Sequence, residues 1–355
     1  MKKLFFAFCM FWTTAAMAEG TIDKRVINEM LTTVNQQYLE PVDNADMIYA
    51  GLKTLPEMDR ALKITKGRDR FYVYYNYRIK SVVVFPKNND DVLGWVDAVH
   101  KLLTDITKIS DTAELKDYQL VDRMMKGMTS KMDKYSGYYS QFEYVDHERD
   151  NVIYTLYSDR MIKNILYIKM RVFNKQSAAM VEQSLRENPR AVGVILDLRG
   201  NSGGMLNEAL KIANMFCEDE IITYTAGRNN RNQHYYTAGK SALFTGPMVI
   251  MVDGGTASAA EVLAGGMQEQ SRAKLIGAHT FGKGTIQNVT EMSNGGKLVL
   301  TTEQFFTPSG KVIHKNGIEP DVCLAEKDGN LCARESRLKK DDDLDKAIKL
   351  LKNET

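Results

Sequence analysis

The sequence predicts an α/β protein: a largely parallel sheet covered by helices, preceded by a mainly helical region that carries a small β-hairpin. Three observations predict it. Beyond about Asn151, short apolar runs ("ILYIKM", "VGVILDL", "MVIMVDG", "KLIG") alternate with helical stretches such as "QSAAMVEQSLRE", "MLNEALKIANMF" and "AAEVLAGGMQEQ". Continuous apolar strands separated by helices are buried on both faces, as in a parallel sheet. Earlier in the chain, apolar residues recur at helical spacing on both sides of one aromatic, β-branched stretch.

Taken in chain order, residues 1–18 come first. "MKKLFFAFCMFWTTAAMA" has two lysines, an apolar stretch from Leu4 to about Trp12, and Ala16-Met17-Ala18. That is the pattern of a secretory signal peptide cleaved after Ala18, which implies export to the periplasm. The apolar run is well short of the roughly 20 residues that span a bilayer, and no later stretch is long enough to do so.

Residues 19–145 follow as a mainly helical region, with helical patterning from Ile22 to about Leu62 and again from Val92 to Met132. Between them, "FYVYYNYRIKSVVVF" (71–85) is dense in residues that favour strands and breaks at Arg78 to Lys80, which reads as a hairpin. "DKYSGYYSQFEY" then reads as a loop with a short turn. Residues 146–330 hold the alternating strands and helices. Within them, "KLVLTTEQFF" is set antiparallel to "TIQNVTEM" across the Ser293-Asn294-Gly295-Gly296 turn. Residues 331–355 end in "DLDKAIKLLK", an amphipathic helix expected to pack on the core.

Composition narrows the function. At 355 residues the chain has room for two or three domains, and 44% hydrophobic with 26% charged residues is ordinary for a globular protein. A net charge of +2 argues against a dedicated nucleic-acid binder. No Cys/His cluster has zinc spacing. Cys323 and Cys332 flank "LAEKDGNL", whose Asp328-Gly329 signals a tight turn. A hairpin there would bring the sulfurs together, and an oxidising compartment would keep them joined. Cys217, directly after "IANMF" on what reads as an apolar helix face, is expected to be a small buried hydrophobe.

Two serines invite a nucleophile's role. Ser202 sits in "RGNSGGM", a Gly-x-Ser-x-Gly string after an apolar run. A hydrolase built on it needs an acid and a histidine further on, and Asp253 with His279 or His314 nominally fill those places. The bland reading of Ser202 is a residue in a glycine-rich turn that opens a helix. Gly203 and Gly204 carry interest of their own. Glycines at a strand-to-helix junction let backbone N–H groups converge, as an oxyanion hole or a phosphate cradle. No Walker lysine follows, so the phosphate reading is weak.

Ser258 lies in "MVIMVDGGTASAAEVLAGG", a strand, a turn and a helix entered near Thr256 to Ser258. There the helix dipole stabilises developing negative charge, and small neighbours let a substrate backbone approach. Its candidate base is Lys283 in "AHTFGKGTIQ", held between Gly282 and Gly284 in a segment with no other charge. A lysine acts as a base only when uncharged, and burial away from carboxylates favours that form. Ser–Lys pairs are an established variant of the nucleophile-plus-base arrangement.

At this point the blocks resemble a family. "VILDLRGNSGGML", "MVDGGTASAAEVLAGGMQ", "GAHTFGKGTIQ", "KLVLTTEQFFTPSGKVIH" and "NGIEPDV" are similar, in order, to the C-terminal processing (tail-specific) serine peptidases of the S41 type. "GMTSKMDKYSGYYSQFEY" resembles the segment that precedes their PDZ domain. The resemblance implies a ClpP/crotonase-like spiral β-α core and an exported serine endopeptidase that cleaves polypeptides near their C-termini through an acyl-enzyme. It makes Ser258 the nucleophile, Lys283 the general base and Gln287 the residue that orients the amine. The backbone N–H groups of Gly204 and Ala259 form the oxyanion hole. The chemistry calls for no metal and no organic cofactor. Ser202 falls where the family tolerates various residues.

Three departures stand out. Glu269 occupies the place of the family's usual aspartate, eleven residues after the nucleophile, and is expected to keep a structural acid role. Ala260 replaces a serine. Only about 20 residues separate Tyr144 from Ile165, well under the ~50 a domain needs, so the PDZ module of the family is missing. Tail recognition would then fall to the catalytic groove, to the 71–85 hairpin, or to an activating or adaptor protein. The rival expectation is a catalytically silent envelope binding protein on the same scaffold.

Overall fold

A computed structural model describes residues 22–112, 119–141, 143, 157–239, 241–324, 326–327, 331–333 and 342–353. The signal-like segment lies outside these residues, as does the Asp328-Gly329 turn. The chain divides into two compact units. The first takes in described residues up to Asn35, then Val42–Glu143 and Glu291–Leu298. The second takes in Gln36–Pro41, Tyr144–Thr290 and Val299 onward.

The first unit is helical around a small sheet. Helices α1 (Lys24–Gln37) and α2 (Asn44–Leu52) are followed by strands β1 (Leu62–Lys66), β2 (Arg70–Tyr75) and β3 (Arg78–Val84), then by α3 (Val92–Ile109), α4 (Gln119–Thr129) and the short strand β4 (Gly137–Tyr139). The apolar stripes read from the sequence face inward: Met30, Leu31, Leu52, Leu102, Leu103, Ile106 and Met124 are all buried. Two expectations change here. The hairpin is the outer part of a three-stranded antiparallel sheet in the order β1-β2-β3, and β1 lies partly within the stretch read as helical. Its turn also falls at Asn76 and Tyr77, both with positive φ (49° and 65°), two residues ahead of the expected break. Such a two-residue turn matches the twist of a hairpin.

The second unit carries the predicted α/β core. Strand β5 (Tyr157–Ile162) pairs antiparallel with β6 (Ile165–Met170). Then come α5 (Ser177–Glu187), β7 (Gly193–Asp197), α6 (Leu206–Asn214), β8 (Ile221–Ala226), β9 (His234–Thr237), β10 (Met248–Val252), α7 (Ala259–Glu269), β11 (Lys274–Gly277), β12 (Thr285–Glu291), β13 (Lys297–Phe306), β14 (Val322–Cys323), β15 (Glu326–Lys327), β16 (Leu331–Cys332) and α8 (Asp342–Asn353). The main sheet runs β14-β11-β10-β7-β6-β5, with every pair from β14 to β6 parallel. Every residue of β7 and β10 is buried, as strands covered on both faces must be. Residues of α5, α6 and α7 build the core on one face, while Ala347 and Leu351 of α8 pack with Ile195, Val249 and Met251 on the other. A second sheet contains β12-β13-β8-β9, and its β12 and β13 are the neighbours the sequence set side by side.

Helix α6 ends at Asn214, so Cys217 lies past the helix face expected to hold it. It is buried all the same, with its Sγ 3.2 Å from Met267 Sδ. Burial pushes its thiol up to about 11, so it stays protonated and inert. Cys323 and Cys332 are joined, with Cα atoms 5.7 Å apart. β15 and β16 pair antiparallel between them.

Candidate active site

Parallel strands deliver their following loops to one edge of the sheet, and ligands of such sheets bind beyond the carboxyl ends. Here β7, β10 and β11 are adjacent, so three loops converge: 198–205, 253–258 and 278–284. Backbone bonds lace them together. Ala257 N–H donates to the Asn201 carbonyl (2.8 Å), and Phe281 N–H donates to the Thr256 carbonyl (3.0 Å). The Thr256 hydroxyl donates to the Leu198 carbonyl (2.9 Å). Asp253 Oδ1 accepts from the Gly200 and Gly255 amides (2.8 and 2.9 Å). Burial raises the Asp253 pKa, and those two amides partly offset the shift.

Ser258 stands at the entrance to α7 with φ +57° and ψ −125°, a conformation that side chains other than glycine rarely adopt. Strain of about 1–3 kcal/mol persists only where the surroundings impose it, and here the cause is visible. Glu261, in the first turn of α7 and fully buried, accepts the Ser258 backbone N–H (2.9 Å) on Oε2. The same oxygen accepts the Lys283 backbone N–H (2.8 Å). Two such bonds of about 3 Å each place the two nitrogens no more than about 6 Å apart. Glu261 Oε1 takes the Thr280 hydroxyl (2.6 Å) and the Gly282 amide (2.7 Å). Burial raises the Glu261 pKa, and these four donors pull it back in part.

This residue corrects one expectation. The Lys283 segment carries no charge of its own, yet a carboxylate from α7 reaches it, directed at the backbone amide. The spacing Ser258-x-x-Glu261 is a capping-box signal, which by itself marks only a helix start. Nothing local showed that residues 280–283 would close on the same carboxylate.

Gly203 packs directly on the candidate nucleophile. A Cβ built there would lie 2.7 Å from Ser258 Cβ, 2.7 Å from the Ala257 carbonyl oxygen and 3.1 Å from the Ala259 nitrogen, and its φ is +97°. Next to it, Gly204 forms a parallel bridge with Phe173: Phe173 N–H donates to the Gly203 carbonyl (2.8 Å) and Met205 N–H to the Phe173 carbonyl (2.9 Å). The N–H of Gly204 itself therefore points away from Phe173. A side chain at Gly204 would meet the Phe173 carbonyl oxygen at 2.2 Å. Among the described residues no acceptor takes the Gly204 or Ala259 amide.

Lys283 is half-buried. Gln287, on β12, donates its Nε2 to the hydroxyls of Thr285 (3.0 Å) and Thr301 (3.1 Å). Ser202 is exposed, while its neighbour Asn201 is buried and accepts the Gly203 amide (2.8 Å). His279 Nδ1 lies 3.1 Å from the Thr280 carbonyl. Glu269, at the far end of α7 from Ser258, accepts the backbone and hydroxyl of Ser309 (2.7 and 2.8 Å) and pairs with Lys311 (3.2 Å). Burial there acts to raise its pKa, but the Ser309 bonds prevail and hold it below the usual glutamate range. Among the described residues no group of His, Cys, Asp and Glu has the geometry to hold a metal ion, and no helix is long and apolar enough to cross a membrane.

Comparison with known proteins bears on this arrangement. Residues 164–324 match the model of peptidase family S41. The chain is 40% identical over 166 residues to the carboxyl-terminal-processing protease of Synechocystis, covering 46% of this chain and 39% of that protein. It is 36% identical over 178 residues to the carboxy-terminal processing protease CtpA of Bacillus subtilis, covering 49% and 38%. The chain thus matches about two fifths of the length of these curated relatives. Among solved structures, a photosystem II D1 C-terminal processing protease superposes with a TM-score of 0.51 at 18% identity, over 86% of this chain and 94% of that one. A lipoprotein from Streptococcus agalactiae gives 0.52 at 18%, over 90% and 99%. At such identities the likeness is one of fold, the S41-type α/β core. Residues 164–324 thus form a peptidase family S41 domain, which takes up a little under half of the chain.

Proposed function

We propose that the chain is an exported serine endopeptidase that hydrolyses polypeptides, near their C-termini, with Ser258 as nucleophile and Lys283 as base. The observation that carries the reading is Glu261 Oε2, which accepts the backbone amides of both residues and so ties the two loops to one oxygen. In this mechanism uncharged Lys283 takes the proton from the Ser258 hydroxyl as Oγ attacks the scissile carbonyl. The Gly204 and Ala259 amides hold the oxyanion. The proton then passes to the leaving amine as the C–N bond breaks, and water hydrolyses the acyl-enzyme with Lys283 again as base. Gln287 orients the lysine amine. Export is supported by the signal-like residues 1–18 and by the Cys323–Cys332 bridge, which an oxidising compartment maintains.

The test is cleavage of an unfolded polypeptide by purified mature chain, read by mass spectrometry of the fragments. Ser258→Ala should abolish cutting and Lys283→Ala should come close to doing so, each by at least about 10⁴-fold in kcat/KM. Wild-type rates in both variants, or loss of activity in Ser202→Ala instead, overturn the assignment. A silent adaptor would show the same indifference and would fail to label at Ser258 with a serine-directed phosphonate.

A further inference from the structure

The three-stranded sheet of the first unit ends in an edge strand that nothing in that sheet covers. β3 is the last strand in the order β1-β2-β3. Phe85 N–H donates to the Asp69 carbonyl (2.8 Å), and the register then runs Arg70 opposite Val84, Phe71 opposite Val83 and Tyr72 opposite Val82. In an antiparallel ladder bonded and non-bonded pairs alternate. Val83 is therefore bonded to β2, while the N–H and C=O groups of Val82 and Val84 point to the open side.

The same two valines are exposed, at 39% and 57%, and Ile79 further along β3 at 54%. At the turn, Tyr77 is fully exposed and held at φ +65°. Natural proteins blunt a free edge because it invites another strand. Here the bulge between Val73 and Tyr74 interrupts only the turn end, and Ser81 to Val84 remain regular.

Charge selects the occupant. Residues 60–87 contain eight Lys and Arg against a single acid, Asp69, and that acid is paired with Arg70. Arg78 and Lys80 sit on β3 itself and are exposed. We propose that the open edge of β3 takes up an extended acidic segment of another polypeptide as a fourth strand. Main-chain bonds to Val82 and Val84 would fix its register, and the basic residues would select its charge. A membrane surface fits less well. It would satisfy the charge but leave the free N–H and C=O groups of the edge without partners in an apolar layer. The site is independent of the loops around Ser258 and stands whether or not that serine cleaves.

The test uses the full mature chain carrying Ser258→Ala, so that no peptide is consumed, and fluorescence anisotropy with labelled eight-residue peptides. A peptide alternating Glu with Val should bind at least about tenfold more tightly than its Gln–Val counterpart, with affinity falling as salt rises. N-methylation of alternate amides along one edge should weaken it at least about tenfold, and methylation of the other edge should not. Val82→Pro should weaken it similarly at no cost to the ladder, because that N–H faces outward. If Val82→Pro disturbs the circular dichroism, the methylated peptides decide alone. Absence of binding, or binding indifferent to methylation on either edge, overturns the proposal. So does capture of the chain by phosphatidylglycerol vesicles without peptide binding, which would assign the patch to a membrane.

Discussion

Glu261 is the residue through which the two halves of the proposed dyad are held together. Its carboxylate sees four donors and no solvent. Burial raises its pKa above the ordinary glutamate range of about 4.3. The raised value has two consequences of opposite sign. The folded state binds this proton more readily than the unfolded one, so the contribution to stability is greatest below the ordinary range. It declines as pH rises through the folded value. Activity moves the other way, because a protonated carboxyl cannot accept all four donors. The acid limb of kcat/KM should therefore steepen at a further break above the ordinary glutamate range, while circular dichroism stays native. Glu261→Gln should lower kcat/KM by about 10²-fold and erase that break. A variant with wild-type rate and an unchanged profile would show that Glu261 does no positioning. Gly203 makes a steric counterpart. Gly203→Ala would bring a methyl to 2.7 Å from Ser258 Cβ at a φ of +97°, and about a 10²-fold loss of kcat/KM in a folded protein is expected.

The elements show what local pattern can and cannot reveal. β6, β7, β10 and β11 were legible because strands buried on both faces must be apolar throughout, and α7 because its small and apolar residues follow a turn. β1, "LKITK", was not: two of its five residues are lysines, and its strand identity comes from pairing with β2. The Asn76–Tyr77 turn escaped because it places a tyrosine where glycine or asparagine is usual. Both site segments were legible from the turn residues around them, but their closure on Glu261 depends on the strand order β7-β10-β11, which no local pattern contains. The anchor of α8 was likewise hidden. Asp197, at the end of β7, is fully buried and accepts from Arg199 (2.7 Å) and the Tyr167 hydroxyl (2.6 Å), and Arg199 reaches on to Asp343 in α8 (3.2 Å). Burial acts to raise the Asp197 pKa, but Arg199 and Tyr167 outweigh it and hold the carboxyl below its usual range. Its stabilising effect is therefore present above the ordinary aspartate range and lost as pH falls through the folded value. Asp197→Asn should cost about 3 kcal/mol in urea denaturation, since it leaves Arg199 without its main partner. It should also speed amide exchange in α8 before the rest of the sheet. Uniform exchange across the unit would remove the anchor from the account.

At the scale of the whole molecule, the proposed function turns on substrate recognition. A PDZ domain captures a polypeptide's terminal carboxylate in a backbone nest and adds the tail to a sheet edge. Between Tyr144 and Ile165 there are about 20 residues, and Tyr157–Ile162 among them are committed to β5. That stretch is well short of the ~50 residues a domain needs, and we propose that no such module stands there. If the chain is the peptidase proposed above, its preference for tails must then rest on main-chain and side-chain contacts along the substrate, with no reader for the carboxylate. Two otherwise identical unstructured substrates, one with a free C-terminus and one amidated, separate the cases. Amidation removes the terminal charge while leaving the rest of the tail unchanged. Cleavage of the two should agree within about threefold in kcat/KM, because no buried charge pair is broken. A loss nearer 10²-fold on amidation, the scale at which a hydrogen-bonded charged group goes unpaired, would mean that a carboxylate-binding site exists elsewhere in the chain. Basic residues near the loops that follow β7, β10 and β11 would then be the first to replace.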